Sequence, residues 1–318
     1  MQAVVAGGAG FIGSHLCRRL LAEGHEVLCL DNLSTGRFAN IRALQSDPRF
    51  TFIEHDIVRP LGFAAQAVFQ LASPASPPGY LRRPVDTLRV NSEGTLHLLE
   101  QARRNDAAFL LASTSEVYGD PLEHPQRESY WGNVNPVGRR ACYDEGKRYA
   151  EALTMTFAHE YGLDCRIVRI FNTYGPNSDP DDGRLVPNFI CKALRGEPLP
   201  IYGNGRQTRS LCYVDDLVEG LMRAAFTPSA RGEVINLGNP DEHSVFEYAE
   251  LIRALCASSS MFEHATPVLG DDPRQRKPDI AKAGRLLNWR PVVDLEAGLR
   301  RTIAYFREEL ASVQVQAV

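Results

Sequence analysis

The segment Gly7-Gly8-Ala9-Gly10-Phe11-Ile12-Gly13 constrains the fold of this chain more than any other. It follows an apolar run, Gln2–Ala6, and opens an amphipathic stretch, Phe11–Ala22. Gly7, Gly10 and Gly13 give the spacing GxxGxxG rather than GxGxxG. Glycines at such a strand–turn–helix junction allow a tight turn and close approach of the backbone to a pyrophosphate, whose charge then faces the helix N-terminus. A glycine-rich turn without a ligand needs neither flank, whereas here strand and helix patterns stand on both sides.

The rest of the first half keeps the same alternation. Glu26–Leu30, Thr51–Ile53, Ala67–Gln70, Ala108–Ala112 and Cys165–Ile170 read as buried β-rich runs, with long helical stretches at Val85–Arg104 and Tyr143–Tyr161. Alternation of this kind predicts a Rossmann-type, doubly wound α/β fold, a parallel sheet covered by helices on both faces. After Asn172 the texture changes to a loop, PNSDPDDG at 176–183, and then to shorter strands mixed with helices. We expect residues 1–175, with 213–240 returning to them, to form the dinucleotide-binding domain. Residues 176–212 and 241–312 then form a smaller α/β substrate-binding lobe over the carboxyl edge of the sheet, and 313–318 a frayed tail.

The 318 residues suffice for one large domain or two closely packed ones. A net charge of −4 gives no reason to expect nucleic acid or an anionic membrane as partner. An anionic substrate would have to be held by local arginines and helix N-termini. The seven cysteines, Cys17, Cys29, Cys142, Cys165, Cys191, Cys212 and Cys256, are scattered and contain no CxxC pair. Their apolar contexts suit reduced core thiols better than disulfides or a metal site, and we read Cys142 the same way although it abuts Tyr143. No apolar run reaches transmembrane length, and the first strand begins at about residue 2, too early for a signal peptide, so the expected location is the cytoplasm.

Asp31 ends the second strand, 18 residues beyond Gly13. A carboxylate there accepts from ribose hydroxyls and repels a 2′-phosphate, which favours NAD over NADP despite the nearby Arg37. Asn32, Ser34, Thr35 and Gly36 follow in the same loop, and Leu71-Ala72-Ser73 continues a strand toward the same edge, where the cofactor backbone would pass. Asp56 reads equally as a partner for the adenine amino group and as a strand-end turn residue. Tyr143 and Lys147, in RACYDEGKRYAE, are four residues apart and share a helix face. A lysine ammonium beside a phenol favours the phenolate, so the tyrosine can act as a base nearer neutral pH. Y-x-x-x-K alone is a common pairing. Together with the glycine turn and the serine/threonine-rich strand end it points to hydride movement at a hydroxyl-bearing carbon.

GGAGFIG, Tyr143/Lys147 and the VYG within Glu116–Gly119 resemble the extended short-chain dehydrogenase/reductases that act on nucleotide sugars, over about residues 1–310. Three segments are similar to the UDP-glucuronate decarboxylases of that superfamily: LASPASPPGY at 71–80, LASTSEVYGDPLEHPQRESYWGNVNPVGRRACYDEGKR at 111–148, and DDPRQRKPDI at 271–280. Dehydratases and epimerases of the superfamily typically carry PYSASK-like text around the tyrosine, where this chain reads RACYDEGK. Related 4,6-dehydratases usually have Thr-Asp-Glu before VYG, the aspartic acid protonating a departing hydroxyl; here the triplet is Thr114-Ser115-Glu116. A serine is a poor acid for expelling hydroxide, and a decarboxylase expels none.

The resemblance implies conversion of UDP-glucuronate to UDP-xylose with NAD reduced and reoxidised in each turnover. Tyr143 is then the base, Lys147 lowers its pKa and binds the nicotinamide ribose, and Thr114 orients the sugar oxygen. Ser115 and Glu116 assist orientation and proton handling. Arg276 lies near the carboxylate and C5, although its charge-dense segment read alone is a solvated face. Asn172 and Arg209 hold the diphosphate, Tyr202 lines the uracil site, and Arg184 lies near cofactor or phosphate. Arg89 and Asn188 reach the nucleotide sugar. By the same resemblance, the helices carrying Val85–Arg104 and Tyr143–Tyr161 form a four-helix dimer interface, so a homodimer is expected. The alternatives are a 4,6-dehydratase, a 4-epimerase, a decarboxylase that stops at the 4-keto-pentose, and a non-catalytic NAD-sensing scaffold, since fold alone does not fix function.

Overall fold

The computed structural model describes residues 1–265 and 275–316. Seven parallel strands form the central sheet: β1 (Gln2–Ala6), β2 (Glu26–Asp31), β3 (Phe50–Glu54), β4 (Ala67–Gln70), β5 (Ala108–Thr114), β6 (Cys165–Ile170) and β7 (Val234–Leu237). Their order is β7-β6-β5-β4-β1-β2-β3. Six helices matter below: α1 (Phe11–Ala22), α2 (Thr95–Arg104), α3 (Ala141–Tyr161), α4 (Leu185–Arg195), α5 (Val214–Phe226) and α6 (Leu295–Gln316).

A parallel sheet covered on both faces demands near-continuous apolar strands, and Ala3–Ala6 of β1 and all of β4 are buried. On one face Leu16 and Leu20 of α1 pack with Leu217 and Leu221 of α5. On the other, Leu98, Leu99 and Ala102 of α2 pack with Ala150 and Phe157 of α3. β1 lies between β2 and β4, so the winding direction of the chain reverses beside it. A crevice opens at the carboxyl ends of strands at such a point, and the glycine turn follows β1 there.

Two sequence expectations need correction. The stretch Val85–Arg104 is not one α-helix: Pro84–Arg89 is α-helical, Val90–Gly94 is a π-turn, and α2 follows. At that turn Gly94 passes close to Ile57, where a Cβ would come 2.8 Å from Ile57 Cδ1. Asn91, in the same turn, donates from Nδ2 to Ser73 Oγ at 2.9 Å and to Thr87 O at 2.8 Å. The chain after Leu310 is helical rather than irregular, since α6 continues to Gln316. Residues 317–318 lie outside the described residues, as do 271–274 of DDPRQRKPDI.

Beyond β6 three two-stranded pairings form. Thr173–Tyr174 pairs in parallel with Cys212–Tyr213, Thr208–Ser210 antiparallel with Glu242–Ser244, and Leu199–Tyr202 in parallel with Phe262–Ala265. All seven cysteines are free and buried. Among the described residues no group of His, Cys, Asp and Glu could hold a metal ion, and no helix is long and apolar enough to cross a membrane.

Candidate active site

The glycine turn fits a dinucleotide. Gly7 has φ +82°, and a Cβ on it would lie 2.7 Å from Ala72 N, on the chain leaving β4. A Cβ on Gly13 would meet Gly7 O at 2.1 Å, so the first turn of α1, with Phe11 and Ile12, can approach the loop only through glycine. No side chain caps the N-terminus of α1, which leaves its first amides for an anion. One groove contains Gly7 and Gly10 on one side and Leu71, Ala72 and Ser73 on another. Asp31, Asn32, Ser34, Thr35, Gly36 and Asp56 line its far end.

Asp31 is buried and also braces the loop. Its Oδ2 accepts from Ala9 N at 3.0 Å and its Oδ1 from Leu33 N at 2.8 Å. Burial pushes its carboxyl up, against the lowering effect of those amides. Gly36 passes so close that a Cβ would stand 2.7 Å from Asp31 Oδ1. Asn32 Nδ2 donates to Asp56 Oδ2 at 3.1 Å, joining the two acidic strand ends. Arg37 is turned away to Glu309 on α6, at 2.7 Å. Arg89 lines this groove with Asp56 and pairs with Glu93 of the π-turn.

Thr114 ends β5, where its Oγ1 accepts from Glu116 N at 3.2 Å and its side chain acts on the phenol of Tyr143, near the start of α3. Tyr143 is buried and lies parallel to Tyr80, with ring centroids 5.2 Å apart and planes at 7°. Burial pushes the phenol up to about 12, opposed by the Thr114 hydrogen bond and the Arg184 charge. Lys147 shares the helix face, but its Nζ donates to Ala112 O of β5 at 2.9 Å. Among the charges acting on the phenol, Arg184 is the cation that opposes burial.

Burial lowers Lys147 to about 8, with Glu151 opposing. Against the ordinary lysine value this costs the folded state about 3 kcal/mol at neutral pH. Loss of the Ala112 bond costs an amount of the same order, about 1–3 kcal/mol. Lys147→Met should therefore leave the melting temperature near wild type at pH 7 while turnover collapses. The unfolded chain holds the lysine proton to higher pH than the folded one, so wild type gains stability relative to the variant as pH rises from about 8 toward the unfolded lysine value. Melting curves at pH 7 and pH 9.5 check both points, and a large loss of stability at pH 7 would contradict the first.

Glu116 and Ser115 belong to the 3₁₀ turn directly after β5, and Ser115 is buried. Glu116 is held by two buried arginines. Arg276 donates Nη1 to Oε1 at 2.5 Å and Nη2 to Oε2, while Arg140 Nη2 reaches Oε2 at 2.5 Å. Burial raises the carboxyl, but Arg276 and Arg140 outweigh it and hold it below its ordinary value. The solvated-face reading of the Arg276 segment is thus overturned. Arg276 is 7% exposed, and its segment is pinned by Lys277 N to Gln126 Oε1 at 2.9 Å and Asp279 N to Gln126 O at 2.8 Å.

The remaining residues sit on the side of the molecule that follows β6. Asn172 O accepts from Cys212 N at 2.9 Å, which brings the segment after β6 beside the one that carries Arg209. Arg209 lies on Thr208–Ser210, opposite His243. Arg184 precedes α4 and pairs with Asp182 at 3.3 Å; Asn188 is one turn along, half-buried. Tyr202 ends its strand exposed.

Sequence reasoning missed Arg140, Tyr80, Asp144 and Asn91. Arg140 and Asp144 flank Tyr143 in RRACYDEG, and a charged pair at a helix start ordinarily reads as solvated. Asp144 is buried, with Oδ2 3.9 Å from Arg140 Nε.

Comparison with known proteins agrees with this geometry. Residues 3–238 match the family model described as NAD dependent epimerase/dehydratase family. The chain is 51% identical over 307 residues to UDP-glucuronic acid decarboxylase 1 of Danio rerio, spanning 96% of this chain and 73% of that protein. UDP-glucuronic acid decarboxylase 1 of Arabidopsis thaliana is 50% identical over 310 residues, 98% of this chain and 71% of that one. Among solved structures, UDP-glucuronic acid 4-epimerase from Bacillus cereus, in complex with UDP-glucuronic acid and NAD, is similar with a TM-score of 0.88 and 29% identity, over 97% of this chain and 100% of that one. On the match over residues 3–238 and these identities, the chain belongs to the NAD dependent epimerase/dehydratase family.

Proposed function

We propose that the protein decarboxylates UDP-glucuronate to UDP-xylose with NAD as a recycled cofactor. The observation that supports it best is Arg276 buried against Glu116, in the turn that follows Thr114. A guanidinium fork suits a carboxylate substituent, which neutral hexoses lack. The relatives at 50–51% identity that carry the decarboxylase name favour the same reading.

The glycine turn, Asp31 and the loop Asn32–Gly36 would hold NAD, with Leu71–Ser73 along its backbone and Tyr143, Lys147 and Arg184 at its far end. Bound NAD supplies the acceptor for a hydride from C4 and later the hydride that returns. Tyr143 takes the C4 hydroxyl proton as that carbon is oxidised, and Thr114 orients the same oxygen. Lys147, anchored at Ala112, keeps a positive charge at this end of α3. The resulting ketone is β to the C6 carboxylate, so the electron pair released with CO2 flows into an enolate. Glu116, Ser115 and Arg276 position the carboxylate and handle the proton delivered to C5. Tyr143 then returns its proton to the C4 oxygen. Asn172 and Arg209 hold the diphosphate, Tyr202 the uracil, and Asn188 the nucleotide sugar.

The protein acts in the cytoplasm as a homodimer built on the faces of α2 and α3. Residues 1–175 and 213–240 make the NAD domain, and 176–212 with 241–312 the substrate lobe. Incubation with UDP-glucuronate and NAD, followed by mass spectrometry of CO2 and the nucleotide sugar, tests the reaction. UDP-xylose is the expected product. Accumulated 4-keto-pentose would remove the final reduction, and unchanged substrate with bound cofactor would favour a dehydratase or epimerase acting on neutral sugars.

A further inference from the structure

We infer that Glu309 of α6 is a positioning residue that sets cofactor choice: it holds Arg37 off the adenosine ribose, so that the site takes NAD and not NADP. This deepens the NAD reading of the groove and does not depend on the sugar substrate. Arg37 stands where an NADP site needs a cation. It directly follows Gly36, where a Cβ would stand 2.7 Å from Asp31 Oδ1, and its backbone N–H donates to Ala9 O of the glycine turn at 3.0 Å. An arginine beside the carboxylate that ends the second strand is the group that accommodates a 2′-phosphate. Ser34, Thr35 and Gly36 line the groove, but Arg37 does not.

Its guanidinium goes to the C-terminal helix instead. Arg37 Nη2 donates to Glu309 Oε2 at 2.7 Å, and both side chains are half-buried. Among the described residues Glu309 is the one carboxylate within ion-pair distance of Arg37. Tyr305, one turn earlier on α6, and Asp179 also act on the guanidinium. Tyr305 is neutral at physiological pH, since burial pushes its phenol up to about 12. Asp179 is exposed, and its Oδ1 accepts from Asp181 N at 3.0 Å. The contact with Glu309 uses one nitrogen of the fork, while Nη1 is buried with no hydrogen-bond partner among the described residues. A phosphate offers several oxygens to a guanidinium and can take both nitrogens. Arg37 released from Glu309 therefore gains from a ligand that carries a 2′-phosphate. Asp31 repels that phosphate directly, and Glu309 withholds the cation that would offset the repulsion.

The test is binding rather than turnover: calorimetric titration of NAD and of NADP into protein freed of cofactor, with melting curves as a control for folding. Glu309→Gln, which keeps the shape of a half-buried side chain, should lower the ratio of the NADP Kd to the NAD Kd by about tenfold, the effect of one hydrogen bond to a charged group. Arg37→Ser should leave the ratio near its wild-type value. Adding Arg37→Ser to Glu309→Gln should abolish the gain, because the two residues act as a pair. An unchanged ratio in Glu309→Gln, or both cofactors weakened alike, would leave Glu309 a mere support for the loop and overturn the inference. A gain that persists in the double variant would overturn it too, since the lost charge alone would then suffice. So would a loss of NADP affinity of about tenfold in Arg37→Ser, which would mean that the arginine already reaches the ribose. Failure of the wild-type protein to bind NAD would instead overturn the cofactor reading on which the inference rests.

Discussion

Tyr143→Phe should lower turnover of UDP-glucuronate by roughly 10³-fold while leaving the fold and NAD binding intact, the range by which a positioned acid–base group contributes. The reason for expecting a clean separation is local. The phenylalanine ring keeps the parallel stack on Tyr80, and only the hydroxyl that meets Thr114 is lost. The glycine turn and Asp31 sit at the other end of the groove and do not depend on that oxygen. Burial pushes this phenol up to about 12, with Thr114 and the Arg184 charge opposing. Steady-state kinetics and an NAD titration on the variant decide the matter. Activity within tenfold of wild type would remove Tyr143 from the reaction.

Most of the sheet was legible because its strands are buried on both faces and flanked by turn residues. β1, β4 and β6 begin and end where their apolar runs do, and the glycine turn could only sit at a strand–helix junction. The candidate reacting residues were legible for a different reason, the fixed i,i+4 geometry of Tyr143 and Lys147 on one helix. What spacing could not reveal was where Lys147's ammonium goes, since the carbonyl of Ala112 that holds it lies 35 residues away. The same limit hid the charge cluster. Glu116 and Arg276 are separated by 160 residues, and Arg140 looks in sequence like any polar residue at a helix start. The π-turn at Val90–Gly94 was invisible too, because a single Gly94 is common inside a helical pattern and the contacts with Ile57 and Ser73 that accompany the turn lie far off in sequence.

The charge cluster also carries the second large effect. Glu116→Gln removes the carboxylate that Arg140 and Arg276 share, in a region where both arginines are at least nine-tenths buried. An uncompensated buried charge of this kind costs roughly 3–5 kcal/mol, so the variant should melt well below wild type at pH 7. Turnover should fall by about 10²-fold or more, whereas NAD affinity should hold, since Glu116 touches no part of the groove lined by Gly7 and Asp31. The stability difference has a defined pH dependence. Arg276 and Arg140 hold the folded carboxyl below its ordinary value, so in acid the unfolded chain takes up the Glu116 proton first. Wild-type stability from this group is therefore complete above the unfolded glutamate pKa and is lost as pH falls through the folded one. Melting temperatures of the two proteins should converge in acid and diverge toward neutrality. Parallel melting curves, or wild-type turnover in the variant, would show that the two arginines are balanced by something other than Glu116.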